Sequence, residues 1–243
     1  MKFSELGKRA LFYVSVPKCV CCEEILSYQD LALCPKCSAE FEKIKTRDCS
    51  ICGKRLHLCS CSTDYLKSHF MKRLVKVFRY IQREENLPAN SLIYSLKRDD
   101  RRDVLNLCAN ELAEAIRASV SNPKKYIITN VPRRKSAIIQ YGIDHSAELA
   151  KAVAKRLGAE YHSLLVSHSR RPQKKTHGDE RLHNVNFDVK REVDLSGRYV
   201  IIVDDVITTG ASMGAASVLV RSMGAKQIFG AALSIAYKDG IKK

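Results

Sequence analysis

Nine of the ten cysteines fall within 43 consecutive residues, and six of them form three Cys-x-x-Cys knuckles: Cys19/Cys22, Cys34/Cys37 and Cys49/Cys52. Eleven residues separate each knuckle from the next, and Cys59 and Cys61 add a shorter fourth pair. A Cys-x-x-Cys turn aims two thiolates at one tetrahedral ion, and two such turns close a structural zinc site. The eight cysteines of these pairs are therefore the candidate zinc ligands. Sequential pairing is the simplest: 19/22 with 34/37, and 49/52 with 59/61. A cross-braced pairing and a single ion remain open. Cys21 is spare, and Gly53 suits the left-handed turn of a knuckle. A segment this short cannot build a core of its own, so the metal role is structural.

The redox compartment follows from the same residues. Leu11 to Val16 is a short apolar stretch that follows an acid and precedes no small-residue cleavage site. The expectation is a short amphipathic N-terminal helix over 1–15 rather than a signal peptide. Without export a disulfide framework is disfavoured, and three tandem knuckles argue against a redox Cys-x-x-Cys. The expected location is cytoplasmic.

From about residue 73 the texture changes. The expected boundaries are a cysteine-rich module over 16–64 and a larger domain over 73–243. RLVKVFRY alternates basic and apolar residues as a half-buried strand does. LPANSLIYSLKR reads as a helix with Pro88 at its start. Asp100 is placed to cap the next helix, RRDVLNLCANELAEAIRASV, which ends at Asn122-Pro123, and Cys108 falls in its apolar stripe as a core residue. YIITNVP, YHSLLV, GRYVIIVDD and KQIFGAALSIAY read as strands. SAELAKAVAKRLG and GAASVLVRSMG read as helices closed by Gly158 and Gly224. Alternation of strand and helix predicts an α/β fold with a mostly parallel sheet covered on both faces. Residues 167–185 are polar, basic and aperiodic, as a mobile functional loop is.

Charge narrows the ligand. The chain carries a net +16, of which a surplus of only three lies in residues 1–62 and 13 lies beyond. Several phosphates, or a polyanion, are the natural partner. No run approaches the roughly 18 apolar residues of a membrane span, so no membrane insertion is expected.

The most apolar strand ends in VIIVDDVITTGAS, residues 200–212. Two adjacent acids precede a turn rich in hydroxyls, and the turn opens a helix. Free N–H groups at a helix start hold an anion. Carboxylates beside such a cradle accept hydrogen bonds from sugar hydroxyls or approach a divalent ion through water. Diol acceptors next to a phosphate cradle describe a ribose 5-phosphate.

This stretch resembles the phosphoribosyl pyrophosphate (PRPP) signature of type I phosphoribosyltransferases. The resemblance implies that Asp204 and Asp205 hold the ribose hydroxyls. It implies that Thr208, Thr209, Gly210, Ala211 and Ser212 hold the 5′-phosphate, and that Mg2+ accompanies PRPP. With the zinc-ribbon-like N-terminus added, nearly the whole chain resembles the competence protein F family. Phe78-Arg79-Tyr80, Leu96-Lys97 and Val131-Pro132-Arg133-Arg134-Lys135 carry that likeness, as do Gln173, Arg181, Asn184 and Phe187. One motif departs: Tyr141-Gly142-Ile143-Asp144-His145 stands where the family has Arg-Gly-Phe-Asn-Gln, and only the glycine is kept.

Transfer chemistry needs cations on the leaving pyrophosphate. Arg133, Arg134 and Lys135 are the candidates on the strand end, and Lys174, Lys175 and Arg181 on the loop that closes over it. Thr208 stands where hypoxanthine-type enzymes carry an Asp, which disfavours purine salvage, and no residue identifies a nitrogenous acceptor. The competing reading is a binding module for PRPP or for single-stranded DNA, which the family resemblance associates with DNA uptake in natural transformation. Tyr80, Tyr94 and Tyr141 are the candidate stacking groups, though the chain has no Trp. Two zinc ions on eight thiolates would bring the first module from +3 to about −1, so DNA belongs on the second domain. A third reading makes the zinc module a docking surface for a helicase or translocase. His57 is an alternative zinc ligand, and His145 and His183 are phosphate candidates, each expected as a surface histidine.

Overall fold

The computed structural model describes residues 16–27, 32–81, 87–167, 187–190 and 193–236, without the Tyr141 side chain. The expected N-terminal helix over 1–15, the loop beyond Ser167, and Gln173, Lys174, Lys175, Arg181, His183 and Asn184 lie outside the described residues. Among the described residues no helix is long and apolar enough to cross a membrane.

The body is a five-stranded parallel sheet in the order β1-β7-β6-β2-β3. The strands are β1 (Arg73–Arg79), β2 (Tyr126–Asn130), β3 (Glu160–Tyr161), β6 (Tyr199–Ile207) and β7 (Gln227–Ile235). A separate antiparallel pair joins β4 (Leu165–Ser167) to β5 (Phe187–Val189). Every residue of β2 is buried, and eight of nine in β7, because helices cover both faces. One face packs against α3 (Leu87–Arg98), α4 (Arg102–Ser119) and α6 (His145–Leu157). The other packs against α7 (Ala211–Ser222) and the short α2 (Asp64–Ser68). Two further helices, α1 (Pro35–Lys45) and α5 (Lys135–Tyr141), complete the described elements together with two 3-10 turns.

Local chemistry fixes most boundaries. Asp144 caps α6 by accepting from the Ala147 N–H at 3.1 Å, and Gly158 closes it. Asn122 in the left-handed region and Pro123 stop α4. Cys108 is buried on α4, and burial pushes its thiol up to about 12.

Four expectations need correction. The strand read as half-buried, β1, is buried across its centre, because its basic Lys76 finds partners inside the molecule. Asp100 does not cap α4: Arg101 occupies the cap with no side-chain bond, and pairs with Asp103 at 2.6 Å instead. YHSLLV is not one strand but two, since His162 leaves β3 after its N–H bonds Ile128 and the chain crosses into the second sheet. The strand written GRYVIIVDD runs on through both aspartates to Ile207, paired with β7 as far as Ile235.

The cysteine module is not a detached bead. Cys19, Cys34, Cys37, Phe41 and Ile44 share one core with Val75, Phe78, Leu92 and Leu112. Phe41 meets Phe78 edge to face, with ring centroids 5.6 Å apart, an arrangement worth about 1 kcal/mol beyond its burial. Lys45 of α1 bonds Glu111 of α4 at 2.7 Å.

Candidate functional site: a phosphate loop beside paired aspartates

Adjacent parallel strands β6 and β2 place their carboxyl ends side by side, with Asn130 opposite Val203. Ligands of open α/β sheets gather there. Asp204 and Asp205 follow on β6, while Pro132-Arg133-Arg134 leaves β2 toward α5. Beyond β6, Thr208 and Thr209 are exposed and Gly210 turns with φ +84° into α7. Thr209 Oγ1 accepts from the Ala211 N–H at 3.3 Å, and the first helical bond runs from the Gly214 N–H to the Gly210 carbonyl. The N–H groups of Ser212 and Met213 precede that bond, the donors that a helix start leaves for an anion. Asp204 and residues 206–213 enclose a pocket of about 40 Å3.

The loop is braced from outside. An added Cβ on Gly214 would lie 2.9 Å from Cε1 of Tyr65, so α2 packs directly on the first turns of α7. Tyr65 itself stacks on His69 with centroids 4.2 Å apart. Because α2 follows the second cysteine cluster directly, the cysteine module buttresses the 208–212 turn.

The two acids have different surroundings. Asp205 is 5% exposed, and its Oδ2 accepts from Arg133 Nη2 at 2.6 Å and lies 3.7 Å from Lys97 Nζ. Asp204 is half-buried and accepts only the Asp205 N–H among the described contacts, at 2.9 Å. Burial, then the neighbouring Asp205 charge, raises its carboxyl well above the usual Asp range. His145, expected on the surface, is 5% exposed behind this pair, and burial together with the Arg133 charge lowers its basicity.

This geometry agrees with what the chain is similar to. Residues 143–243 match the family described as phosphoribosyl transferase domain. The ribose-phosphate pyrophosphokinase of Thermococcus kodakarensis is 38% identical over 93 residues, 38% of this chain and 29% of its own length. The chain thus spans under a third of the pyrophosphokinases it matches. The DNA utilization protein YhgH of Escherichia coli is 25% identical over 219 residues, covering 86% of this chain and 93% of its own. Homology to YhgH over most of the chain, with the cysteine-rich N-terminus, bears out the competence protein F resemblance. The solved purine phosphoribosyltransferase of Pyrococcus horikoshii covers 54% of this chain and 72% of its own, at 19% identity and TM-score 0.38.

Of the residues expected to serve this domain, Asp204, Asp205 and the 208–212 turn come together. Arg133 points at Asp205, whereas Arg134 and Lys135 stand exposed at the start of α5. Lys97 belongs to the Leu96-Lys97 element, to which the sequence alone assigns no role. Its approach to Asp205 spans over a hundred positions, which no local pattern encodes.

The metal candidates separate cleanly. Cys19, Cys22, Cys34 and Cys37 form one group and Cys49, Cys52, Cys59 and Cys61 a second, the thiol sulfurs of each within 4.8 Å of one another. This is the sequential pairing, and His57 is not needed: its Nδ1 faces the Lys45 carbonyl at 3.0 Å. Zn–S bonds of about 2.3 Å in a tetrahedron place sulfurs about 3.8 Å apart. The Cys22–Cys34 and Cys52–Cys59 separations of 3.6 and 3.5 Å fit. Backbone N–H groups of Cys34 and Cys61 donate to Cys19 and Cys59 sulfurs at 3.3 Å, as donors around a bound thiolate do. Burial raises the Cys19 thiol, but hydrogen bonds from the Cys22, Cys34 and Cys21 backbone outweigh it and bring it to about 7. Lys76, 1% exposed on β1, reaches Cys59 Sγ at 3.2 Å and the Cys61 carbonyl at 3.0 Å. Its ammonium places a positive charge beside the second cluster and ties that cluster to the edge of the sheet.

Asp204 gives a pH prediction. An Asp in the unfolded chain ionises at about pH 3.9. Folded Asp204 holds its proton well above that. Its contribution to stability is therefore fullest below the unfolded value and is lost as pH rises toward the folded one. Asp204→Asn cannot ionise and escapes that loss. The expected result is a Tm above wild type at neutral pH, by about 2–4 °C for ~1 kcal/mol in a chain of this size. The gap should close toward pH 4 in thermal melts across a pH series; a gap that ignores pH contradicts the assignment.

Proposed function

We propose that this chain is a competence-type, cytoplasmic phosphoribosyltransferase-fold protein that binds PRPP with Mg2+ and handles single-stranded DNA in DNA uptake. The observation that carries the reading is the pairing of Asp204-Asp205 with the 208–212 turn at the head of α7. Asp204 and Asp205 take the ribose hydroxyls, and the turn takes the 5′-phosphate through backbone donors and the Thr208, Thr209 and Ser212 hydroxyls. Mg2+ supplies charge neutralisation on the pyrophosphate oxygens when bound. Burial beside Asp205 favours the protonated form of the Asp204 carboxyl, and hydroxyl donors or a nearby cation would favour its ionised form. The excess of 13 positive charges beyond residue 62 supports contact with a phosphate backbone. Ile51 and Leu58, exposed on the second cysteine cluster, offer apolar area to a helicase or translocase.

The alternative is an active transferase that moves ribose 5-phosphate from PRPP to a nitrogenous acceptor. Arg133 weighs against it as a ready clamp, since its guanidinium is held by Asp205. Arg134 and Lys135, and Lys174, Lys175 and Arg181, are then the cations for the leaving group. Pyrophosphate release from PRPP, measured with Mg2+ against a panel of nucleobases and amines, separates the readings. The binding-module reading expects no acceptor-dependent release, together with salt-sensitive binding of single-stranded oligonucleotide. Sustained release with one acceptor, and no oligonucleotide binding, would establish the transferase.

A further inference from the structure

We infer that a cavity between the first cysteine cluster and α3 is a binding site for a nucleobase. This deepens the DNA-handling reading and rests on it for the source of the base. The cavity has a volume of about 610 Å3 and lies apart from the phosphate pocket in its lining residues. That size suits a nucleoside-sized group. One wall is the first zinc knuckle, through Lys18 to Val20 and Glu23; the opposite wall is α3, through Ser91, Tyr94 and Ser95; Tyr80 at the end of β1 forms part of the lining.

Three features define the ligand. The first is aromatic surface: two phenol rings, Tyr80 and Tyr94, line the cavity. Tyr94 is 56% exposed, and Arg98 covers its ring with the guanidinium carbon 4.3 Å from the centroid. A large exposed aromatic so held is a ready stacking platform. The second is an unused polar group. Ser95 is 1% exposed, and its Oγ has no hydrogen-bond partner. A buried hydroxyl left unpaired costs about 1–3 kcal/mol, and a ligand with a donor–acceptor edge recovers it. The third is charge. Lys18 and Arg101 are matched by Glu23 and Asp99 in the same lining, so the interior does not select an anion. A neutral heteroaromatic with polar edges meets all three conditions, and a phosphate meets only the second.

Helix α3 also links this cavity to the phosphate site. Tyr94, Ser95 and Asp99 face the cavity, while Lys97 reaches Asp205. Arg98 beside Tyr94 leaves a cation near the rim for the backbone of a strand whose base enters. In this arrangement the first zinc knuckle is one half of a ligand site as well as a structural clip.

The test compares the full-length, zinc-loaded protein bound to an oligodeoxythymidylate and to an abasic oligonucleotide of equal length and charge. Thymidine and adenosine are titrated in parallel, with tyrosine fluorescence as the signal. Wild type should prefer the base-bearing strand by about tenfold, the scale of one stacked base. Tyr94→Ala, at an exposed position, should lose that preference and leave abasic binding unchanged, and Tyr94→Phe should retain it. Asp204→Asn/Asp205→Asn should lose PRPP and keep the preference, which separates this site from the ribose site. Nucleoside binding lost in Tyr94→Ala, without any strand binding, assigns the cavity to a free base and removes the DNA-handling reading while leaving the cavity's chemistry standing. Equal binding of both strands with no nucleoside signal, or a preference that survives Tyr94→Ala, overturns the inference.

Discussion

Chelation is expected to destabilise more than the N-terminal module. Cys19, Cys34 and Cys37 lie in the same core as Val75, Phe78 and Leu112. The second cluster leads directly into α2, whose Tyr65 and Leu66 pack on Gly214 and Gly210 at the head of α7. With a cation gone, the sulfurs gathered within 4.8 Å lose the ion that would tie them together, and burial drives the Cys37 and Cys61 thiols toward their protonated forms, which do not hold the knuckles closed. Structural zinc sites supply about 10–16 kcal/mol in isolated fingers, as much as the whole stability of a typical domain. Chelation should therefore lower Tm by about 10 °C or more, the equivalent of ~4 kcal/mol in a chain this long. It should also weaken anion binding at the loop. Zinc released on thiol modification should reach two equivalents per chain. Differential scanning calorimetry with and without chelator checks this; an unchanged transition would mean that the clusters are ornaments to the fold.

Arg133→Met should be among the most damaging single substitutions on the sheet's carboxyl end. It removes the 2.6 Å partner of a carboxylate that is 5% exposed and leaves only Lys97 at 3.7 Å. Breaking one side of a buried pair costs about 3–5 kcal/mol, because the other charge stays buried alone. Lys97 holds the expected loss to about 3 kcal/mol at the low end of that range. Replacing both partners, Arg133→Met with Asp205→Asn, should return most of the stability, because no charge is then stranded. A double-mutant cycle on urea midpoints reads the coupling. Additive losses would show that Arg133 and Asp205 do not act as a pair.

Most of the sheet was legible in the sequence because its elements are long and locally consistent. The runs YIITN and YVIIVDDVI are apolar enough to be central strands, and α6 carries its own cap and stop at Asp144 and Gly158. The short helices were not: five residues in α2 and seven in α5 hold too few turns for a period to register. Lys76 misled for a different reason. Its charge marked β1 as half-solvated, but its partners are the Cys59 sulfur and the Cys61 carbonyl, 17 and 15 positions earlier in the chain. The motif at 200–212 marked the strand end, both acids and the turn into α7. The use of Arg133 as a partner of Asp205, the burial of His145 and the approach of Lys97 depend on strand order and on α3 folding over the site. Strand order, with β1 beside β7, is written in no local stretch. The cavity against the zinc knuckle is likewise a product of two segments some 70 residues apart.

The central claim is that Asp204, Asp205 and the turn after them form a working ribose 5-phosphate site. Calorimetric titration of PRPP with Mg2+ into wild type and into Asp204→Asn/Asp205→Asn, both zinc-loaded, tests it directly. Saturable one-to-one binding by wild type, absent in a variant that still unfolds in a single cooperative transition, is the predicted result. No binding by wild type, or equal binding by the variant, would contradict it.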